Sequence, residues 1–154
     1  MVRCLAYSSD GKRLASGSVD GTVRVWDVGS RKLLATLEGR HGGALAFAPQ
    51  GGVLASASED GTILLWQAET GTERKMLTKH DRGVWCLAFS PGGSTLVSGG
   101  TDGTIKLWDP DSAKERQTLQ GHTGFVTSLA FLPNARELIS GSADKTPSGK
   151  SGSG

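Results

Sequence analysis

The sequence has few of the residues on which disulfide-stabilised and metal-binding proteins depend. It contains two cysteines, Cys4 and Cys86, and three histidines. Two cysteines cannot build a disulfide framework, and no cysteine or histidine lies at the spacing of zinc ligands. The sequence therefore predicts no disulfide scaffold and no metal site, and it indicates no cofactor.

Long apolar segments and a strong net charge are also missing. No apolar run approaches the ~18 residues of a membrane-spanning helix, and the first residues, MVRCLAYSSDGKRL, lack the apolar core of a signal peptide. The 17 basic and 15 acidic residues leave a formal net charge of +2. That charge is too small to indicate a nucleic-acid or membrane surface. We expect a cytoplasmic protein that binds neither nucleic acid nor membrane.

Glycine, by contrast, is abundant, and much of it belongs to an internal repeat. The chain has 23 glycines in 154 residues, about twice the usual ~7% share. Related segments read SGSVDGTVRVWD at 16–27, SASEDGTILLWQ at 56–67, SGGTDGTIKLWD at 98–109 and, in shorter form, SGSADKT at 140–146. Each follows an apolar segment of similar pattern, such as CLAYSSDGKRLA or CLAFSPGGSTLV. Self-similarity thus extends over almost the whole chain.

Each repeated unit is predicted to form four short strands. In the third unit, VWCLAF, TLVSGG and TIKLW are separated by glycine-containing turns, and a fourth strand follows near ERQTL. Asp-Gly and Pro-Gly between β-rich segments favour hairpins, because glycine adopts positive φ easily. No segment has the apolar period of a helix. The predicted fold class is therefore all-β.

Four-stranded units of about 40 residues, whose third strand ends in Trp-Asp, resemble the blades of WD-repeat β-propellers. The resemblance covers about 145 of the 154 residues. It implies antiparallel blades at about 2–40, 41–79 and 80–121 and a partial fourth at 122–145, so that residues 1–145 form an open arc. Pro147 interrupts the fourth unit, and the Ser/Gly/Lys-rich segment 146–154 is expected to be a flexible tail.

The resemblance also implies a structural relay of hydrogen bonds inside each blade. Its members recur at fixed spacing, and a histidine lies 22 residues before the aspartate in two units. The expected members are Ser16, Asp20 and Trp26; Ser56, Asp60 and Trp66; His80, Ser98, Asp102 and Trp108; and His122, Ser140 and Asp144. Buried groups of these types need partners, and they can satisfy one another.

Serine, histidine and aspartate are also the members of a hydrolase triad. Repetition of the set in successive units, and the absence of a G-x-S-x-G segment, favour a structural role. The tail SGKSGSG is not a phosphate loop, because Asp144 stands where that motif needs glycine. We expect no catalytic residues and no enzyme activity.

Partner-binding residues in such propellers gather where the inner strands begin and at the turn before the relay aspartate. By position, the resemblance implies partner binding by Arg3, Trp85, Thr101, Phe125 and Thr127. Trp85 is not a relay tryptophan. It is either a binding anchor or a side chain that packs between blades, and both interpretations stay open.

The expected function is a non-catalytic scaffold that binds peptides or protein surfaces on one propeller face. The alternative is a regulatory propeller fragment of a larger multidomain enzyme, such as a kinase or protease. The expected partners are other proteins or peptides, and also further blades from the same gene product or a second copy of the chain, since an open arc exposes apolar sheet faces.

Overall fold

The computed structural model describes residues 1–38, 41–77, 80–134, 136–144 and 148–150, of which 41–42 and 148–150 are considered by backbone alone. The described residues form fifteen strands and contain no helix. The strands are β1 (Val2–Tyr7), β2 (Arg13–Ser18), β3 (Val23–Asp27), β4 (Leu33–Leu37), β5 (His41–Phe47), β6 (Val53–Ser58), β7 (Ile63–Gln67), β8 (Glu73–Leu77), β9 (Val84–Phe89), β10 (Leu96–Gly100), β11 (Ile105–Asp109), β12 (Lys114–Leu119), β13 (Val126–Phe131), β14 (Leu138–Ser142) and β15 (Ser148–Lys150).

Successive strands pair antiparallel into four sheets. The first sheet is β1–β4, the second β5–β8, the third β9–β12 and the fourth β13–β15. The register repeats from sheet to sheet: a leucine of the second strand lies opposite the tryptophan of the third, as Leu54 does opposite Trp66 and Leu96 opposite Trp108. The prediction of three full four-stranded blades and a partial fourth is confirmed.

The repeated Asp-Gly-Thr sequence forms the hairpin between the second and third strands. In each of the first three sheets the aspartate carboxylate accepts a 2.9 Å hydrogen bond from the threonine amide two residues later. The glycine between them has positive φ, +87° at Gly61. A Cβ atom at Gly61 would lie 2.4 Å from the carbonyl oxygen of His80, so this turn needs glycine for both its conformation and its space.

Apolar side chains are buried between neighbouring sheets. We call the side of a sheet that bears the third-strand tryptophan its tryptophan face and the other side its small-residue face. Trp66 and Phe47 of the second sheet pack against Ala15 and Val25 of the first. Trp108 of the third sheet packs in the same way among small residues of the second sheet, including Ala55 and Ala57. The tryptophan faces of the second and third sheets therefore each cover the small-residue face of the preceding sheet.

This stacking arranges the sheets in an open arc. The innermost strands lie side by side in the order β1, β5, β9, β13. Among the described residues, no comparable packing joins β13 back to β1. The expectation of an open arc is confirmed, and both ends of the arc present sheet faces that none of the other described sheets covers.

The fourth sheet reaches further than the sequence predicted. Strand β15 pairs with β14 and places Lys150 opposite Leu138, at the register position that tryptophan occupies in the other sheets. Strand β15 lies within the expected flexible tail 146–154, and the rest of that tail lies outside the described residues. Ladder hydrogen bonds use only backbone groups, so the open edge of β14 can pair with a Ser-Gly-Lys segment.

Candidate functional site

The third sheet contains a continuous network of buried hydrogen bonds. The indole Nε1–H of Trp108 donates to Ser98 Oγ at 2.8 Å, and Ser98 Oγ lies 2.6 Å from Nε2 of His80. His80 Nδ1 in turn lies 3.3 Å from a carboxylate oxygen of Asp102. Ser98, His80 and Trp108 are buried. The network ties β10, β11 and the segment before β9 together.

The electrostatics of this network favour a neutral histidine. Burial lowers the pKa of His80, although the carboxylate of Asp102 acts in the opposite direction. Burial acts to raise the pKa of Asp102, but hydrogen bonds from Thr104 and from His80 outweigh it, and the pKa stays below its usual value. At neutral pH, a His80 protonated on Nδ1 donates to the ionised Asp102 and accepts the Ser98 hydroxyl proton on Nε2, which satisfies every member.

The other sheets bring together parts of the predicted relays. In the fourth sheet, His122 lies 2.8 Å from Ser140 and 3.0 Å from Asp144 through its two ring nitrogens. In the second sheet Trp66 donates to Ser56 at 2.7 Å. In the first sheet the corresponding distance between Trp26 and Ser16 is 3.4 Å. Asp20 and Asp60 accept hydrogen bonds within their own turns.

The network of the third sheet joins strands and presents no serine hydroxyl to solvent. The Ser98 hydroxyl is enclosed by His80 and Trp108 and cannot reach a substrate. Neither cysteine forms a disulfide bond, and burial raises the pKa of the Cys86 thiol to about 12, which makes it a poor nucleophile at neutral pH. In the part of the chain that the structure describes, no three His, Cys, Asp or Glu side chains could hold a metal ion. Its described residues also include no helix long and apolar enough to cross a membrane.

A cavity of about 570 Å³ opens on the face where the inner strands begin. It lies between the start of β1, the turn after β6, the segment before β9 and the turn after β10. Its lining residues are Arg3, Gly43, Glu59, Asp60, Asp81, Arg82, Gly83, Val84, Trp85 and Thr101. Alternation along β9 buries Val84 and leaves Trp85 47% exposed. The structure thus exposes the indole of Trp85 to this cavity.

Three of the five residues predicted to bind a partner share this cavity, and two do not. Arg3, Trp85 and Thr101 line it. Phe125 is exposed at the start of the fourth sheet, and the hydroxyl of exposed Thr127 donates to the carbonyl of Gly141 at 3.2 Å. Their positions in the repeat match, but they belong to the next sheet along the arc, beyond the cavity lining.

Backbone contacts hold the cavity floor in place. The carbonyl of Gly83 accepts a 2.8 Å hydrogen bond from the amide of Thr101. A Cβ atom at Gly83 would lie 2.9 Å from the carbonyl oxygen of Glu59, so the segment before β9 lies directly against the turn after β6. Close backbone approach of this kind leaves little freedom to either segment.

Charged residues surround the exposed indole. The guanidinium of Arg3 forms an ion pair with the carboxylate of Glu59, which joins the first and second sheets across the cavity. Asp81 and Arg82, both exposed, come from the segment before β9. Sequence reasoning placed Glu59 on this face by its position before Asp60, but named neither it nor Asp81 nor Arg82 as a partner-binding residue. The signal for Glu59 was its position beside Asp60, and the signal for Asp81 and Arg82 was their position shortly before Trp85.

The repeat structure agrees with a known family. The family model for the WD domain, G-beta repeat (WD40), matches the chain four times, at residues 1–27, 31–67, 71–109 and 113–146. The chain belongs to the WD40 repeat family. Members of this family generally mediate contacts with other proteins, and the WD40 repeats here have the four-stranded sheets and tryptophan–serine pairs described above.

Similar proteins match this WD40 chain over about one repeat. A 40-residue segment is 55% identical to a WD repeat-containing protein VIP3 of Arabidopsis thaliana, covering 26% of this chain and 12% of that protein. A 45-residue segment is 47% identical to the ribosome biogenesis protein BOP1 of Rattus norvegicus, covering 29% and 6%. A 38-residue segment is 42% identical to the general transcriptional corepressor TUP1 of Saccharomyces cerevisiae, covering 25% and 5%. The matches therefore span only a small part of each relative.

Proposed function

We propose that this chain is a non-catalytic interaction module that binds a peptide segment of another protein in the cavity around Trp85. The observation that carries the proposal is the exposure of this indole in a concave site. Trp66 and Trp108 are buried and donate to serines, whereas Trp85 is 47% exposed. Aromatic side chains in pockets are frequent anchors of protein interfaces, and the cavity volume lies within the range of ligand sites.

The charges of the cavity favour a partner peptide that carries lysine or arginine. Arg3 is already paired with Glu59, so it is poorly placed to receive an acidic partner. Three carboxylates and two guanidinium groups line the cavity, which leaves a surplus of negative charge. A cation held near the indole of Trp85 gains from the ring quadrupole as well as from the carboxylates.

The proposal is tested by fluorescence anisotropy with labelled alanine-rich decapeptides that carry a central arginine, lysine, glutamate or phenylalanine. We expect the cationic peptides to bind best. Trp85→Ala should weaken their binding about 30-fold, which corresponds to about 2 kcal/mol, and should leave the melting temperature nearly unchanged.

Phe125→Ala is the matched control, because Phe125 is also an exposed aromatic residue at the start of an inner strand but lies outside the cavity lining. It should not alter peptide binding. The proposal fails if Trp85→Ala lowers stability by about 3 kcal/mol or more, as truncation of a core aromatic does, while peptide binding by the folded fraction is unaffected.

A further inference from the structure

We infer that the two end sheets of the arc bind each other between copies of this chain: the tryptophan face of the first sheet of one copy covers the small-residue face of the fourth sheet of another. The inference goes beyond the peptide-binding function, since it uses different surfaces.

The tryptophan face of the first sheet has the composition of an interface, but side chains on it are exposed. Register places Leu5 opposite Ser16 and Tyr7 opposite Leu14, and Leu14 opposite Trp26, so these side chains share that face. Leu5 is 62% exposed, whereas the corresponding Leu45 of the second sheet is 9% exposed. Tyr7, at the position of buried Phe47, is exposed as well. Leu5 and Tyr7 thus resemble Leu45 and Phe47 in character and differ from them in exposure.

The small-residue face of the fourth sheet shows the complementary pattern. Ile139 lies opposite Ala130, at the sheet position of Ala15, Ala55 and Val97 in the other sheets. Those three residues are fully buried, whereas Ile139 is 50% exposed. Ala130 and Ser128 are exposed on the same strand. The end of the arc therefore presents the surface against which a tryptophan face packs elsewhere in the molecule.

The interior of the molecule shows that these two kinds of face fit each other. Tryptophan faces pack on small-residue faces between the first and second sheets and again between the second and third. Contact between two tryptophan faces would oppose bulky side chains on both sides, while the head-to-tail contact repeats an observed geometry. Two such contacts between two copies would place six full and two partial blades around one axis, a total of eight, within the range of four to eight blades that propellers adopt.

The assembly is tested by size-exclusion chromatography with light scattering. The unmodified chain should be a dimer. Leu5→Glu on the tryptophan face and Ile139→Glu on the small-residue face should each give a monomer. Met76→Glu is the control, because Met76 is exposed on β8 of the second sheet, away from both end faces, and it should leave the dimer intact. Circular dichroism melts establish whether each variant is folded. If Leu5→Glu is not folded, Tyr7→Lys replaces it on the tryptophan face, and if Ile139→Glu is not folded, Ala130→Glu replaces it on the small-residue face.

Mixing the two monomeric variants separates head-to-tail pairing from other arrangements. The intact small-residue face of the Leu5→Glu chain can bind the intact tryptophan face of the Ile139→Glu chain, so the mixture should form a heterodimer through one contact. The inference is overturned if the unmodified chain is monomeric at tens of micromolar, if Ile139→Glu remains dimeric, or if the mixture of variants stays monomeric.

Discussion

The hydroxyl of Ser98 should contribute far more to stability than the hydroxyl of Ser16, although both occupy the same position of the repeat. Ser98→Ala removes the acceptor of the Trp108 indole N–H at 2.8 Å and the partner of His80 Nε2 at 2.6 Å. Both groups are buried and would be left without these bonds. Each buried group left unpaired costs about 1–3 kcal/mol. Because the two losses share one site, they are not independent, and we expect about 2–4 kcal/mol in total.

Ser16→Ala is the matched control. Ser16 is half-buried, and its Oγ lies 3.4 Å from Trp26 Nε1, at the long limit of a hydrogen bond. Its loss should cost less than about 1 kcal/mol. Urea unfolding followed by circular dichroism measures both changes. The total free energy of unfolding of a domain is about 5–15 kcal/mol, so the Ser98→Ala variant should remain folded in the absence of urea. Equal shifts of the two midpoints would refute the role assigned to the relay of the third sheet.

Two further predictions concern the same region. Because burial holds the folded-state pKa of His80 below the ordinary 6.5, the contribution of His80 to stability is complete above pH 6.5 and declines as the pH falls below that value. The lowered pKa of Asp102 adds a further loss of stability below pH 3.8. Urea midpoints should therefore fall from pH 7 to pH 5, and His80→Gln should flatten this part of the profile; a rise on acidification would contradict the assignment. Gly61→Ala should destabilise the fold by well beyond the ~1–2 kcal/mol that a left-handed non-glycine residue costs alone, because its Cβ atom would lie 2.4 Å from the His80 carbonyl oxygen. Gly11→Ala is the control, because Gly11 has φ +69° but no atom within 4 Å of the added Cβ. In a thermal melt it should show only the conformational cost.

Much of the fold was predictable because its determinants are local. The Asp-Gly-Thr turn fixes where each hairpin lies, and the spacing from Ser56 to Trp66 or from Ser98 to Trp108 fixes the register of neighbouring strands. Strand β15 was not predictable in this way. Its pairing uses backbone groups at an open edge, and the composition of the Ser-Gly-Lys segment gives no indication of the edge that it joins.

The candidate binding site was predictable only in part. The position of Trp85 in its repeat left open whether its indole is an exposed binding anchor or packs between blades, and the structure exposes it. The pairing of Arg3 with Glu59 could not be derived, because the two residues belong to different sheets and their distance depends on how the sheets stack. The same stacking leaves Phe125 and Thr127 outside the cavity lining.

The matched WD40 repeats are offset from the sheets, and the offset determines what a cut in the backbone would do. The repeat at 31–67 begins with β4, which completes the first sheet, and continues through β5–β7 of the second. The exposed turn at 28–32 connects β3 to β4, and those strands are joined by a ladder from Val23–Leu37 to Trp26–Leu33. A protease that cleaved after Arg31 would leave β4 covalently attached to the second sheet but hydrogen-bonded to the first. The hydrogen bonds between β3 and β4 would hold the two fragments together, so that a chain cleaved at this turn could keep its arc of blades intact.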